Sequence, residues 1–232
     1  NQIDKQMKFY KNHLEYKREA LCERVLWVKK KNYACAVWDY EGTRYPIPRI
    51  KITGLKSVRS DTPAFCRKRI KNILRLALTK DEKKVQHYAK LVKERFYKLS
   101  LNDIANPVSV KSLSQYTPTD ENSWVTKTPA AYKASFVHNR EIIKRGLENR
   151  YEAITDGDNI KWIYLTSPTP YGHETIGCKL YFPPEFKSDK YIDYDRQFER
   201  VFLKPVTDLL TICKWEVEKT KSKLIFKPKV KK

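Results

Sequence analysis

The sequence has little glycine (6 residues), few histidines (4) and a single methionine. It contains none of the glycine signatures of common catalytic folds: no Gly-x-x-x-x-Gly-Lys phosphate loop, no Gly-x-Gly-x-x-Gly and no Gly-x-Ser-x-Gly. No apolar run approaches the roughly 18 residues needed to cross a bilayer, and Asn1–Tyr10 lacks the apolar core of a signal peptide. The expectation is a chain with no membrane partner, working in a reducing cytoplasm. The five cysteines (Cys22, Cys35, Cys66, Cys178 and Cys213) are odd in number and scattered, with no Cys-x-x-Cys and no nearby histidine pair. That pattern argues against a zinc site and against a disulfide framework. The only methionine is Met7 and the first residue is Asn1, which suggests a fragment or a processed product.

Positive charge is abundant. Lys and Arg number 48 against 27 Asp and Glu, a formal net charge of +21. Such an excess suits a polyanion, and nucleic acid is the natural one. An anionic membrane would call for one dominant basic amphipathic helix or a polybasic block beside an apolar span, and neither stands out. With 232 residues and 41% hydrophobic composition, the chain can fold as one large domain or two small ones.

Two modes of patterning divide the chain. Val25–Lys30 and Tyr33–Asp39 approach the alternation of strands, with turns at Asn32 and at Glu41-Gly42, and Ile50–Thr53 adds a short third strand. From Asp61-Thr62-Pro63 the pattern becomes helical up to Leu78, with Asp61 or Thr62 as cap. Thr79-Lys80-Asp81-Glu82 resembles a capping box opening a second helix to Leu99. Pro107–Pro129 reads as an irregular polar excursion, and Ala130–Asn149 as a helix. Asp156-Gly157-Asp158 falls between candidate strands Tyr151–Ile154 and Ile160–Leu165, as in a hairpin. Tyr191–Trp215 reads as a helix or helix pair, and Lys227–Lys232 as a frayed basic end.

Two basic constellations follow. Lys29-Lys30-Lys31-Asn32-Tyr33 sits at the first hairpin, where ammonium groups and a phenol can hold a phosphate backbone or simply form a solvated charged turn. Lys51–Pro63 carries a basic loop to a helix start, where Arg59 and free amides could hold a phosphate, or Asp61 could cap the helix and pair with Arg59. The acidic doublets Asp156/Asp158 and Asp193/Asp195 read as turn and helix-start chemistry rather than as the rigidly placed carboxylates of a two-metal site.

The order of motifs from Leu14 to Pro63 resembles the end of the palm in family B DNA polymerases, particularly those of tailed bacteriophages. Leu14-Glu15-Tyr16 precedes Lys30-Lys31-Asn32-Tyr33-Ala34, which is similar to the family's Lys-Lys-x-Tyr-Ala stretch. Trp38–Tyr45, Lys51-Ile52-Thr53-Gly54-Leu55 and Val58–Pro63 follow in the same sequence. Beyond them the basic helices, Pro170-Tyr171-Gly172 and Phe198–Pro205 are weaker but collinear matches to the family's thumb.

The resemblance implies an α+β fold, with a small antiparallel palm sheet (residues 1–60) and then a mainly helical thumb with a β-hairpin insertion (61–232). It implies contacts with primer–template DNA by Lys30, Lys31 and Tyr33, by Arg59, Ser60 and Thr62, and by Arg67, Lys68 and Lys71 on the first thumb helix. The family's Asp-x-x-Ser-Leu-Tyr-Pro motif, fingers lysine helix and Asp-Thr-Asp motif are absent. The chain alone is therefore expected not to polymerise. The catalytic carboxylates and their Mg ions would belong to a larger polymerase part or chain, with no cofactor or metal bound here. A sliding clamp is a partner of phage relatives, but the apolar terminal peptide that docks it has no counterpart in Lys227–Lys232. If of phage origin, the protein would work in the host cytoplasm. The rival expectation from charge alone is a non-enzymatic DNA-binding protein.

Overall fold

Alternating side chains build β1 (Ala20–Lys29) and β2 (Asn32–Tyr40), and β3 (Thr43–Thr53) completes an antiparallel sheet in the order β1-β2-β3. The computed structural model describes residues 17–120 and 123–215. Leu26 stands opposite Ala34, Ala34 opposite Ile52, and Ala36 opposite Ile50, so the centre of one face is apolar. The small alanines let α1 (Ala64–Thr79) approach that face, and its Ile70, Ile73, Leu74 and Ala77 are buried there at helical spacing.

β3 is longer than Ile50–Thr53. Its first half carries Pro46 and Pro48, residues that a central strand would not accommodate. On an edge strand they are tolerated, because the missing amides need not join a ladder. Between the pairs Val37–Arg49 and Asp39–Arg44 the register slips, leaving residues 45–48 opposite Trp38 alone.

α2 (Glu82–Phe96) buries Val85, Ala89, Val92 and Phe96 in the same core. Its cap is Asp81, whose carboxylate accepts from the Lys84 amide at 3.0 Å. Thr79, expected to open the capping box, is instead the last residue of α1, and its hydroxyl donates to the Arg75 carbonyl at 2.8 Å. The polar excursion is less irregular than its composition suggests. It follows α3 (Leu101–Ile104) and begins with β4 (Asn106–Ser109), which pairs with β5 (Asn159–Tyr164). β6 (Thr175–Cys178) adds on the other side, giving a second antiparallel sheet in the order β4-β5-β6.

Tyr151–Ile154 is therefore not the hairpin partner of β5. The Ile154 amide donates to Asn139 Oδ1 at 2.7 Å, and Asn139 Nδ2 donates back to the Ile154 carbonyl at 2.8 Å. A side-chain amide takes the place of a neighbouring strand. Asn139 lies on α4 (Ala130–Lys144), which stops short of Asn149 because Gly146 takes φ +63°. Amides of Gly146 and Leu147 then close onto the carbonyls of Ile143 and Ile142 at 3.0 and 2.8 Å, a left-handed stop that glycine permits.

The last described stretch runs through α5 (Tyr194–Phe198), a π-helical turn (Glu199–Leu203) and α6 (Lys204–Leu210). The wider π turn, just before an amide-less Pro205, accounts for the mixed spacing of Phe198, Val201, Phe202 and Val206. These residues join Ala34, Ile70 and Phe96 in one core that crosses the compositional boundary near residue 60. The architecture is α+β, as the sequence implied. Leu14–Tyr16 and Lys227–Lys232 lie outside the described residues.

Candidate nucleic-acid interface

The β1–β2 turn consists of Lys30 and Lys31, between the paired residues Lys29 and Asn32. Lys31 takes φ +61°, and Asn32 Nδ2 donates to the Lys30 carbonyl at 3.0 Å, which fixes the turn from within. Gly54, at φ +66°, ends β3 directly against it. A Cβ there would lie 2.2 Å from the Lys31 carbonyl oxygen, so only glycine allows this approach. The ammonium groups of Lys29, Lys30 and Lys31 are exposed, and among the described residues no carboxylate pairs with them. Tyr33 is half-buried opposite Trp27 and Thr53, and its ring meets the Trp27 indole edge to face at 4.8 Å. Trp27 itself remains 67% exposed.

Lys51, further along β3, behaves differently. Its ammonium pairs with Glu19 at 2.5 Å and lies 4.5 Å from the Tyr40 ring centroid. The hydrogen bond to Glu19 holds its pKa above the ordinary lysine value and that of Glu19 below the ordinary carboxylate value. A cation neutralised in this way has less to offer a phosphate than the three at the turn.

The loop from Leu55 to Thr62 is anchored by buried Leu55 and directs Lys56 and Arg59 onto Asp61, the latter at 3.3 Å. Asp61 thus takes the pairing role and not the capping one. The cap of α1 is Pro63, with no side-chain hydrogen bond to the helix amides. Ser60 is exposed, whereas Thr62 is only 3% exposed, with its hydroxyl 3.4 Å from Asp61 Oδ1. Thr62 therefore shapes the loop more than its surface.

α1 carries five cations and no carboxylate. Lys68 and Lys71 are exposed, Arg67 is half-buried, and Arg69 is turned onto the Phe65 ring at 4.1 Å. Lys68, Lys71 and Arg75 follow one another at helical spacing on the side away from the core.

Facing the loop is a group that sequence reasoning passed over. Arg200 and Lys204, four residues apart across the π turn, line a cleft of about 300 Å³ together with Lys56, Asp61, Thr62 and Asp208. The Arg200 guanidinium lies 5.9 Å from the ring centroid of buried Trp162. The available signal was the i,i+4 cation pair on the polar side of an apolar helix. The fold places it beside residues 56–62.

The acidic doublets are committed to local structure. Asp156 accepts from the Leu113 amide at 2.8 Å. Asp158 accepts from the Thr155 amide at 2.7 Å and pairs with Lys179 at 3.0 Å, and the Thr155 amide holds its carboxyl below the usual range. Asp193 caps α5 through the Arg196 amide at 2.9 Å, and Asp195 pairs with Lys93 at 3.6 Å. Among the described residues, no cluster of three or more His, Cys, Asp or Glu side chains is placed to hold a metal ion.

Against this geometry stand the relatives. The family model for DNA polymerase family B matches residues 2–212. The chain belongs to DNA polymerase family B. It is 27% identical over 190 residues to the DNA-directed DNA polymerase of Enterobacteria phage T4, covering 79% of this chain and 20% of that protein. It is 29% identical over 203 residues to that of Escherichia phage RB69, covering 84% of this chain and 22% of the relative. This family B chain therefore spans about a fifth of the curated relatives' length. Its fold is similar to the family B DNA polymerase from the hyperthermophilic archaeon Pyrobaculum calidifontis. The TM-score is 0.53 at 20% identity, over 89% of this chain and 24% of the other.

Proposed function

We propose that this family B chain is the end of a polymerase palm (residues 1–60) followed by the thumb (61–232), and that it grips primer–template duplex during template-directed nucleotidyl transfer. The observation that carries the reading is the β1–β2 turn: three exposed lysines without carboxylate partners among the described residues, held on a glycine-fitted hairpin beside Tyr33. Ammonium groups neutralise phosphates without reading bases, which suits an enzyme that must travel along any sequence. Lys30, Lys31 and Tyr33 contact the primer side near the growing end. Arg59 and Ser60, with Thr62 shaping their loop, approach the duplex backbone, and Arg67, Lys68 and Lys71 hold the product helix. Arg200 and Lys204 extend this basic surface across the cleft.

The chemistry itself needs carboxylates fixed to hold two metal ions. In this reading they and their Mg ions belong to the remainder of the polymerase, on a larger part or a separate chain, and this chain is inactive alone. β1 supports a neighbour outside the described residues: among those described it is an edge strand, with Leu21 49% and Val25 47% exposed. A sliding clamp would engage the complete enzyme, in the host cytoplasm.

The test is primer extension by a polypeptide carrying the Asp-Thr-Asp palm, with and without this chain. Extension is expected only from the mixture, with a selective loss on replacing Lys31 and Tyr33. Full activity of the larger polypeptide alone would refute the reading. If Lys31 and Tyr33 replacements merely weaken salt-sensitive binding, a non-enzymatic DNA-binding role is favoured.

A further inference from the structure

We propose that Trp27 is a stacking platform for an unpaired base of DNA whose backbone is held by Lys29, Lys30 and Lys31; the inference rests on the DNA-gripping reading above. Of the three tryptophans on strands, Trp162 is 2% exposed and Trp38 is 38% exposed with its indole N–H donating to Glu23 at 3.2 Å, whereas Trp27 is 67% exposed. Its ring does not hang free. It stands opposite Tyr33 in the strand register, and the two rings meet at 4.8 Å with an interplanar angle of 68°. Tyr33 is in turn held between Trp27 and Thr53 in the middle strand of the sheet. The indole is thus braced on one side and open on the other.

The surroundings select the ligand. Apolar cover by a protein would be served equally by Val25 and Leu21 on the same strand, but the run of three consecutive lysines lies beside Trp27, whereas Arg18 near Leu21 is paired with Asp39. Lys29, Lys30 and Lys31 follow Trp27 within four residues, all exposed, and the described carboxylates leave them unpaired. An aromatic face next to uncommitted ammonium groups matches a nucleotide, with its π-face and its phosphate. Inside a duplex both faces of a base are already stacked on neighbours. The indole can therefore serve only a base that has left the helix, as at a frayed end or in a single strand.

The experiment uses the whole 232-residue chain with two fluorescent probes, a single-stranded oligo-dT of about 20 nucleotides and a blunt duplex of the same length. Trp27→Ala should weaken binding to the single strand about tenfold at every salt concentration, without changing the salt slope, and leave duplex binding intact. Trp27→Phe, which keeps an aromatic face, should restore most of the loss. The double variant Lys30→Ala/Lys31→Ala should instead flatten the single-strand salt slope by about 1.4. Circular dichroism and thermal melting of Trp27→Ala establish that the hairpin is still formed. Unchanged single-strand affinity in Trp27→Ala, or an equal loss on both probes, would overturn the proposal and assign the indole to a protein contact. If the unaltered chain binds neither probe, the DNA-gripping reading falls as well, which separates its failure from that of the stacking platform.

Discussion

The two three-stranded sheets share an antiparallel plan and differ in what they leave uncovered. All four residues of β6 are buried, while no residue of β1 is. β5 sends Ile160 and Trp162 into one cluster and Ile163 into another, so the second sheet is covered on both faces. Gly177 lets α4 come close to β6, with Ala134 only 3.2 Å from where a Cβ would stand. The first sheet covers one face with α1 and presents aromatic and basic side chains on the other. One sheet buries its apolar side chains, and the other leaves several of them exposed.

Trp162 and Trp27, one on each sheet, give the sharpest way to break that contrast. Trp162→Ala should cost about 3–5 kcal/mol in chemical denaturation, because it empties a fully packed site. Trp27→Ala should cost under about 1 kcal/mol, as for a largely solvated side chain. Equal losses would mean that the first sheet is as self-contained as the second. Gly54→Ala comes next, at about 1–3 kcal/mol, since a positive φ and the Lys31 carbonyl both oppose a Cβ. The same variant should lower DNA affinity by displacing the lysine turn, whereas a purely structural Gly54 would leave affinity unchanged in the folded fraction.

A pH titration probes the covered side. Burial, assisted by Lys133, pushes the His173 imidazole down to about 4 from its usual 6.5, between the Trp124 ring at 5.0 Å and the Thr175 hydroxyl at 3.0 Å. The unfolded chain binds this proton first as pH falls. The stabilising effect is therefore complete above pH 6.5 and is lost on descending toward 4. His173→Gln should flatten the melting temperature across that window. The smallest effect belongs to Lys68→Ala on α1. It should alter stability by no more than about 0.5 kcal/mol yet reduce the duplex salt slope by about 0.9 if Lys68 meets one phosphate.

How much of this could be seen in the residue string depended on how local each cause was. The lysine turn was visible because Lys30-Lys31-Asn32 lies between two alternating segments, and α1 and α2 because apolar residues recur at helical spacing. Tyr151–Ile154 misled because its backbone is satisfied by Asn139, a side chain on another element. The π turn hid in a spacing that fits no single helical period. The cleft of Arg200 and Lys204 was invisible for a plainer reason: it exists only where the π turn and α6 fold back onto the loop at residues 56–62 and onto β4.

Gln197 sits fully buried one turn before Arg200. Its amide nitrogen donates to the Ile104 carbonyl at 2.7 Å, and its oxygen accepts from the Tyr164 amide at 3.2 Å. A polyanion pulling on Arg200 would thus load a helix riveted to the backbone of both α3 and β5, so that force at the cleft would pass into buried structure and the cations there would sit on a stiff mount instead of a compliant fringe.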